Sequence, residues 1–307
     1  MEISGNTFFF DWEVNLMVWL QTSLGTFGIK MAKLFTQFGE PMIIILVVGM
    51  IYWGMDKKYG KYLMTNIIPV ILIGPIIKNI ALRRRPYFDH EKIECLYPAD
   101  KGDINDISQQ GFSFPSLHAA NTIVLYSLVG KYLKSNIGKI ICGIIIFLVG
   151  LSRVYIGVHY PTDVLFRWLF GLIILMVIDL LGKKLPDLNW ILGIFLIISI
   201  PGFFFCKSTD FYTAYGLAAG ALFSFMFEEK YVKFKPAKYY LFSLLRVIIG
   251  GAIFMGLSSL LKLPFSKELL DSATTTSFLI RTARYAVCSF AIFGIYPLCF
   301  GKGKLNL

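Results

Sequence analysis

The length of the apolar runs limits this chain before anything else does. Between Lys139 and Arg153 it reads IICGIIIFLVGLS without a charge, and between Asp163 and Asp179 only Arg167 interrupts VLFRWLFGLIILMVI. A helix that is apolar all round must be enclosed by protein or by lipid. Nine runs of this kind recur, over 40–56, 62–82, 114–133, 138–158, 162–182, 188–206, 210–227, 239–261 and 275–300. Most approach the roughly 20 residues that cross a bilayer core. With 16% of the 307 residues charged and a mean hydropathy of +0.65, the expected fold is all-α: a polytopic membrane bundle of about nine spans. Residues 12–36 mix Trp19, Leu20, Phe27 and Leu34 with polar positions and suit a helix lying in the interface. The expected organisation is an N-terminal interfacial segment (1–37), a core (38–182) and additional C-terminal transmembrane helices (183–307).

The formal net charge of +11 does not make nucleic acid a partner, because the cations sit in short loops between apolar runs, where topology explains them. With the N-terminus outside, the inner loops carry Lys57, Lys58, Lys61, Lys131, Lys134, Lys139, Lys183, Lys184, Lys230, Lys233, Lys235, Lys238, Lys302 and Lys304. Arginines apart, the outer loops carry only Lys92, Lys101, Lys207, Lys262 and Lys267. That asymmetry places the N-terminus out and the C-terminus in. The start, MEISGNTFFFDWEV, lacks a basic segment, so no cleavable signal peptide is expected. The five cysteines follow no metal-ligand or disulfide pattern, although Cys95 and Cys206 both fall in outer regions.

Three polar clusters interrupt the apolar runs, all on the outer side. Lys78 and Arg85, in KNIALRRRP, are seven residues apart and share a helix face. Lys78 lies inside the apolar run, where a lone charge is costly and usually functional. Arg83 and Arg84 read instead as headgroup anchors. In SFPSLH, Ser113 is placed to cap a helix whose first turn holds Pro115. The free N–H groups of Ser116, Leu117 and His118 then face incoming anions. In SRVYIGVHYPTD, Asp163 follows His159 by about one turn and can hold its Nδ1–H, leaving Nε2 free as nucleophile or base. Arg153 closes the preceding span on the same side. Three cations, two histidines, a carboxylate and a helix N-terminus on one membrane face form a site for a dianionic phosphate. No metal or other cofactor is implied, so transition-state charge falls to fixed cations and dipoles.

These residues resemble the type 2 phosphatidic acid phosphatase superfamily, which also includes glucose-6-phosphatase and the vanadium haloperoxidases. Its pattern is KxxxxxxRP, PSGH and SRxxxxxHxxxD; here the chain reads KNIALRRRP, PSLH and SRVYIGVHYPTD over residues 78 to 163. The resemblance implies that Lys78, Arg85 and Arg153 hold phosphate oxygens, with Ser116 and the backbone at Leu117 adding hydrogen bonds. It implies that His159 attacks phosphorus to form a phosphohistidine, that Asp163 orients His159, and that His118 protonates the leaving alkoxide and then activates water. Leu117 replaces the family's Gly, so its side chain crowds the pocket or demands another backbone angle.

The implied substrate is a lipid phosphate reached from the bilayer: phosphatidate, phosphatidylglycerophosphate or a polyprenyl (pyro)phosphate. A soluble-sugar phosphatase of the glucose-6-phosphatase type, whose nine-span, N-out plan is similar, is the alternative enzyme. A nonenzymatic lipid-binding or transport protein is the alternative from another class; it explains the spans but requires no His–Asp pair opposite a second His. The Lys/Ile/Asn-rich composition points to an AT-rich microbe and a plasma membrane. Arg167, one turn beyond Asp163, is open to pairing with Asp163 or to a structural role. Arg246, Arg281, Arg284 and Asp179 are open to interhelical pairing or headgroup contact.

Overall fold

A computed structural model describes residues 5–98 and 102–300. The described chain is helical, with one isolated parallel bridge between Asn6 and Arg83. Its longer helices are α1 (Asp11–Thr36), α2 (Pro41–Gly49), α3 (Lys57–Ala81), α4 (Leu117–Leu133), α5 (Asn136–Tyr155), α6 (Pro161–Gly182), α7 (Leu188–Ser199), α8 (Thr209–Phe227), α9 (Tyr240–Leu260) and α10 (Thr275–Phe290). Among the described residues six helices are long and apolar enough to cross a bilayer, or seven if the bent pair Asp11–Gly39 and Pro41–Met55 (45°) is one span. The six are α3, α5, α6, α7 continued to Phe205, α9, and α10 continued to Phe300.

Six or seven of the nine expected spans therefore meet that test among the described residues. Helices form at both other expected places, but α4 has only 17 residues, stopped by Lys134 in the left-handed conformation (φ 54°). Within α8 the run YGLAAG is rich in small residues, which lowers hydropathy and allows close approach to α10, its main packing partner.

The chain forms two compact units, residues 1–44 with 77–176 and residues 45–76 with 177–307. In the first, α5 packs against both α1 and α4. Met17, Leu20, Ala32, Ala119, Val154, Tyr155, Ile156 and Val158 share its apolar core. The segment expected to lie apart in the interface is thus part of this unit. Among the polar positions of α1, Glu13 and Thr36 are buried, whereas Asn15, Thr22, Lys30 and Lys33 are exposed. In the second unit α8 packs on α7 and α10. Its charges are matched internally: Lys57 meets Glu228 at 2.6 Å, and Lys61 lies 2.8 Å from Asp187 and 2.5 Å from Glu229. Arg246 donates to the carbonyls of Trp53 (2.7 Å) and Lys235 (3.1 Å), and Arg284 to that of Ser258 (3.1 Å). Backbone carbonyls are thus partners of both arginines. Asp179 forms an exposed pair with Lys183. All five cysteines are free thiols.

Candidate active site

Each polar cluster lies where a helix starts or stops within the first unit. Lys78 is in the last turn of α3. The chain leaves that helix through Leu82 (φ 49°), and Arg85 is extended (φ −74°, ψ 150°) before Pro86, as the clash of a proline ring with the preceding residue favours. The N-terminal segment straps this exit through that bridge. Asn6 N–H donates to Leu82 O (2.7 Å), and Arg84 N–H donates to Asn6 O (2.9 Å). α5 ends at Tyr155, and the chain turns through Gly157 in the left-handed region (φ 84°), where a Cβ would collide with the carbonyl oxygen of Glu94. Glycine meets both demands. The turn delivers His159, and Pro161 opens α6 with Asp163 in its first turn.

The helix carrying His118 is capped differently from expectation. Ser116, extended at φ −69° and ψ 113°, is the N-cap of α4, and its side chain makes no cap bond. Ser113 instead donates its hydroxyl to Arg84 O (3.0 Å) and its N–H to Arg83 O (2.7 Å). It ties the two clusters together rather than capping. Leu117 and His118 therefore occupy the first two helical positions, where amides lack intrahelical acceptors.

Asp163 is fully buried, and its oxygens are engaged on both sides. Oδ2 accepts from Tyr160 N–H at 2.8 Å and lies 3.5 Å from His159 Nδ1. Oδ1 accepts from Arg83 Nη1 at 2.6 Å. Arg83 also reaches Glu13 (3.0 Å), Thr162 Oγ1 (2.8 Å) and Phe8 O (2.8 Å). Its guanidinium is 3.9 Å from the Tyr160 ring centroid and 4.7 Å from that of Phe8. Glu13 in turn accepts from Thr162 N–H (3.0 Å) and Thr162 Oγ1 (2.6 Å). Arg83 is 1% exposed and Glu13 0%, so the headgroup-anchor reading of Arg83 is wrong. Arg84 makes the more exposed contact, an ion pair with Asp89 at 3.0 Å. Arg167 is buried, 5.1 Å from the Phe170 ring centroid, and the arginine paired with Asp163 is Arg83.

His159 is buried, and burial pushes its pKa well below the usual imidazole value; the charges of Arg85, Arg153, Lys78 and His118 push the same way. Burial and these charges therefore favour the neutral form of the ring. Those four neighbours and His159 are the residues that sequence grouped together. Arg85 is oriented by the carbonyls of Gln110 (2.7 Å) and Val158 (3.0 Å). Arg153 Nη1 donates to Thr36 Oγ1 at 2.9 Å. Buried at this site without a hydrogen-bond partner are Ser116 Oγ, Arg153 Nε and His159 Nδ1. Such groups are costly unless something supplies the missing partner.

Sequence reasoning did not find Glu13, Thr36, Glu40, Arg83 or Thr162. Glu40 Oε1 lies 3.2 Å from His118 Nε2. The distances in sequence, 149 residues between Glu13 and Thr162 and 117 between Thr36 and Arg153, leave no spacing to read. One signal was available: Glu13 is a carboxylate amid aromatic and aliphatic residues, and such a charge calls for a buried partner.

Residues 58–185 match the PAP2 superfamily, and residues 212–306 match the transmembrane extension of PAP2 superfamily phosphatases. Phosphatidylglycerophosphatase B of Bacillus subtilis is 29% identical over 49% of this chain and 70% of its own length. An undecaprenyl-diphosphatase of Sulfolobus acidocaldarius is 30% identical over 44% of this chain and 62% of its own. The decaprenylphosphoryl-5-phosphoribose phosphatase of Mycobacterium tuberculosis is 28% identical over 55% of this chain and 90% of its own.

Proposed function

This chain belongs to the PAP2 superfamily and is an integral-membrane phosphate ester hydrolase, and from that premise we propose that it hydrolyses a lipid phosphate monoester or pyrophosphate through a phosphohistidine, without a metal. The observation that carries the reading is the set of unpartnered buried groups, Ser116 Oγ and Arg153 Nε, around a neutral His159 among cations. A phosphate dianion supplies acceptors to the first two and an electrophile to the third. In this reading His159 Nε2 attacks phosphorus in line, and Asp163 tightens onto Nδ1–H as charge develops on the ring. Lys78, Arg85 and Arg153 hold the equatorial oxygens with Ser116 and the Leu117 amide. His118 gives a proton to the leaving alkoxide, and water then releases phosphate from His159. The residues given a role in this reaction all lie in the first compact unit.

The lipid class rests on a site among apolar helices and on relatives whose names specify lipid-linked phosphates. Purified protein in detergent should release phosphate from phosphatidate, phosphatidylglycerophosphate or a polyprenyl pyrophosphate in excess chelator. Vanadate should inhibit by occupying the trigonal-bipyramidal position. Release from glucose 6-phosphate alone would move the assignment to the sugar enzymes, and a strict magnesium requirement would end it.

The outer-face placement, in a bacterial plasma membrane, rests on the basic inner loops. In a variant without native cysteines, Ile104→Cys should be labelled in intact cells by a membrane-impermeant thiol reagent, and Tyr231→Cys should be protected until the membrane is opened. Both positions are exposed. The reverse labelling would put the chemistry on the cytoplasmic side and change which leaflet it serves.

A further inference from the structure

The break between α1 and α2 is built around His118. Residues Gln37–Gly39 form a single 3₁₀ turn, and Glu40 follows in extended conformation (φ −72°, ψ 146°) before Pro41. Three contacts fasten this break to α4. Tyr126 Oη donates to Phe38 O at 3.0 Å. Gly39 lies against the His118 ring, where a Cβ would come within 3.1 Å of Cδ2 and 3.2 Å of Cβ. Glu40 Oε1 lies 3.2 Å from His118 Nε2. One residue before the turn, Thr36 also holds Arg153. The same short segment thus sets a phosphate-binding cation and the second histidine.

A carboxylate only accepts hydrogen bonds, so the ring nitrogen that meets Glu40 is the one that carries a proton. We propose that Glu40 is the positioning residue of His118: it holds Nε2–H, so that the proton exchanged with the leaving group and with water passes through Nδ1. This rests on the phosphatase reading above. In the first step His159 Nε2 forms a bond to phosphorus, the bond from phosphorus to the ester oxygen breaks, and the proton on His118 Nδ1 goes to that oxygen. His118 is left neutral with Nε2–H on Glu40. In the second step water forms the new P–O bond, the P–N bond breaks with its electron pair returning to His159, and the water proton goes to His118 Nδ1. Each turnover restores an imidazolium beside a carboxylate. The charged groups acting on His118 are Arg153 from α5, Lys78 from α3 and Glu40 from the break. Burial opposes the imidazolium most, the two cations add to that, and Glu40 is the group that offsets them before the phosphate arrives.

Glu40→Gln keeps the shape and removes the charge. The readout is kcat/KM, which covers steps through departure of the leaving group, for an alkyl phosphate monoester and for p-nitrophenyl phosphate. Only the poor leaving group needs the proton. The variant should lose about ten-fold or more on the alkyl ester and about three-fold or less on the nitrophenyl ester. Its alkaline limb on the alkyl ester should move to lower pH, because the imidazolium is lost sooner without its counter-charge. In a His118→Ala background the same substitution should cost nothing further, since it acts only through His118. Equal losses on both esters with an unmoved limb, or a further loss in the His118→Ala background, would overturn the proposal while leaving the phosphatase reading intact. A wild-type protein that releases phosphate from neither ester would overturn both.

Discussion

Replacing His159 by alanine should reduce phosphate release by about a thousand-fold or more while the protein still purifies and melts as a single species. The size follows from its role. In the proposed mechanism the cations, Ser116 and the amide of Leu117 bind the phosphate dianion without His159, and none of them forms a bond to phosphorus. Binding should therefore survive where turnover does not, and vanadate or inorganic phosphate should still raise the thermal midpoint of the variant in detergent. Rapid acid-free denaturation of the wild type during turnover should trap label on the protein, and the variant should trap none. Activity within a few-fold of wild type would remove His159 from the reaction and with it the covalent intermediate.

The second large effect concerns Arg83. Glu13 and Asp163 are both fully buried, and Arg83 contacts both, at 3.0 and 2.6 Å. Arg83→Met fills much of the same volume and leaves two carboxylates facing each other without that cation. Removing one member of a buried ionic cluster costs about 3–5 kcal/mol. The thermal midpoint should fall accordingly, and phosphate release should fall further than folding alone accounts for, because Asp163 loses the group that fixes Oδ1. Arg83→Lys should lie between, with a cation but without a planar fork that can reach two carboxylates at once. A melting curve for Arg83→Met that overlays the wild type would show that the network carries no stability. The double substitution Arg83→Met with Glu13→Gln should recover part of the loss, since only one carboxylate is then left without its partner.

The sequence made some of this legible and hid the rest for a physical reason. Lys78, Arg85, His118, Arg153, His159 and Asp163 stand at helix ends in fixed local spacings, and helix-end placement follows from where apolar runs stop. His159 and Asp163 are one turn apart, so their proximity is a property of one turn of chain. Glu13, Thr36 and Glu40 reach the site only through the packing of α1 and the break after it against α5 and α4, and long-range packing leaves no period to read. Arg83 was misread for a related reason. Three consecutive arginines look alike as flanking charge, and only the fold turns Arg83 inward, Arg84 outward to Asp89, and Arg85 to the carbonyls of Gln110 and Val158. The nine expected spans are matched by six or seven helices of sufficient length and hydropathy among the described residues. Hydropathy finds apolar runs, and the short α4 and the small-residue α8 are helices that fall just outside that test. Ser113 was mistaken for a cap because the run SFPS offers two serines, and the backbone begins its helix after the second.

Glu13 also bears on how the protein is made. It leaves the ribosome 70 residues before Arg83 and 149 before Thr162. Until then α1 carries a carboxylate that a bilayer interior excludes, so this helix cannot settle into its final packing ahead of the rest. Arrival of Arg83 gives it a counter-ion, and arrival of Thr162 and Asp163 closes the cluster. The contacts through which α1 docks are thus the contacts that hold the carboxylate beside His159.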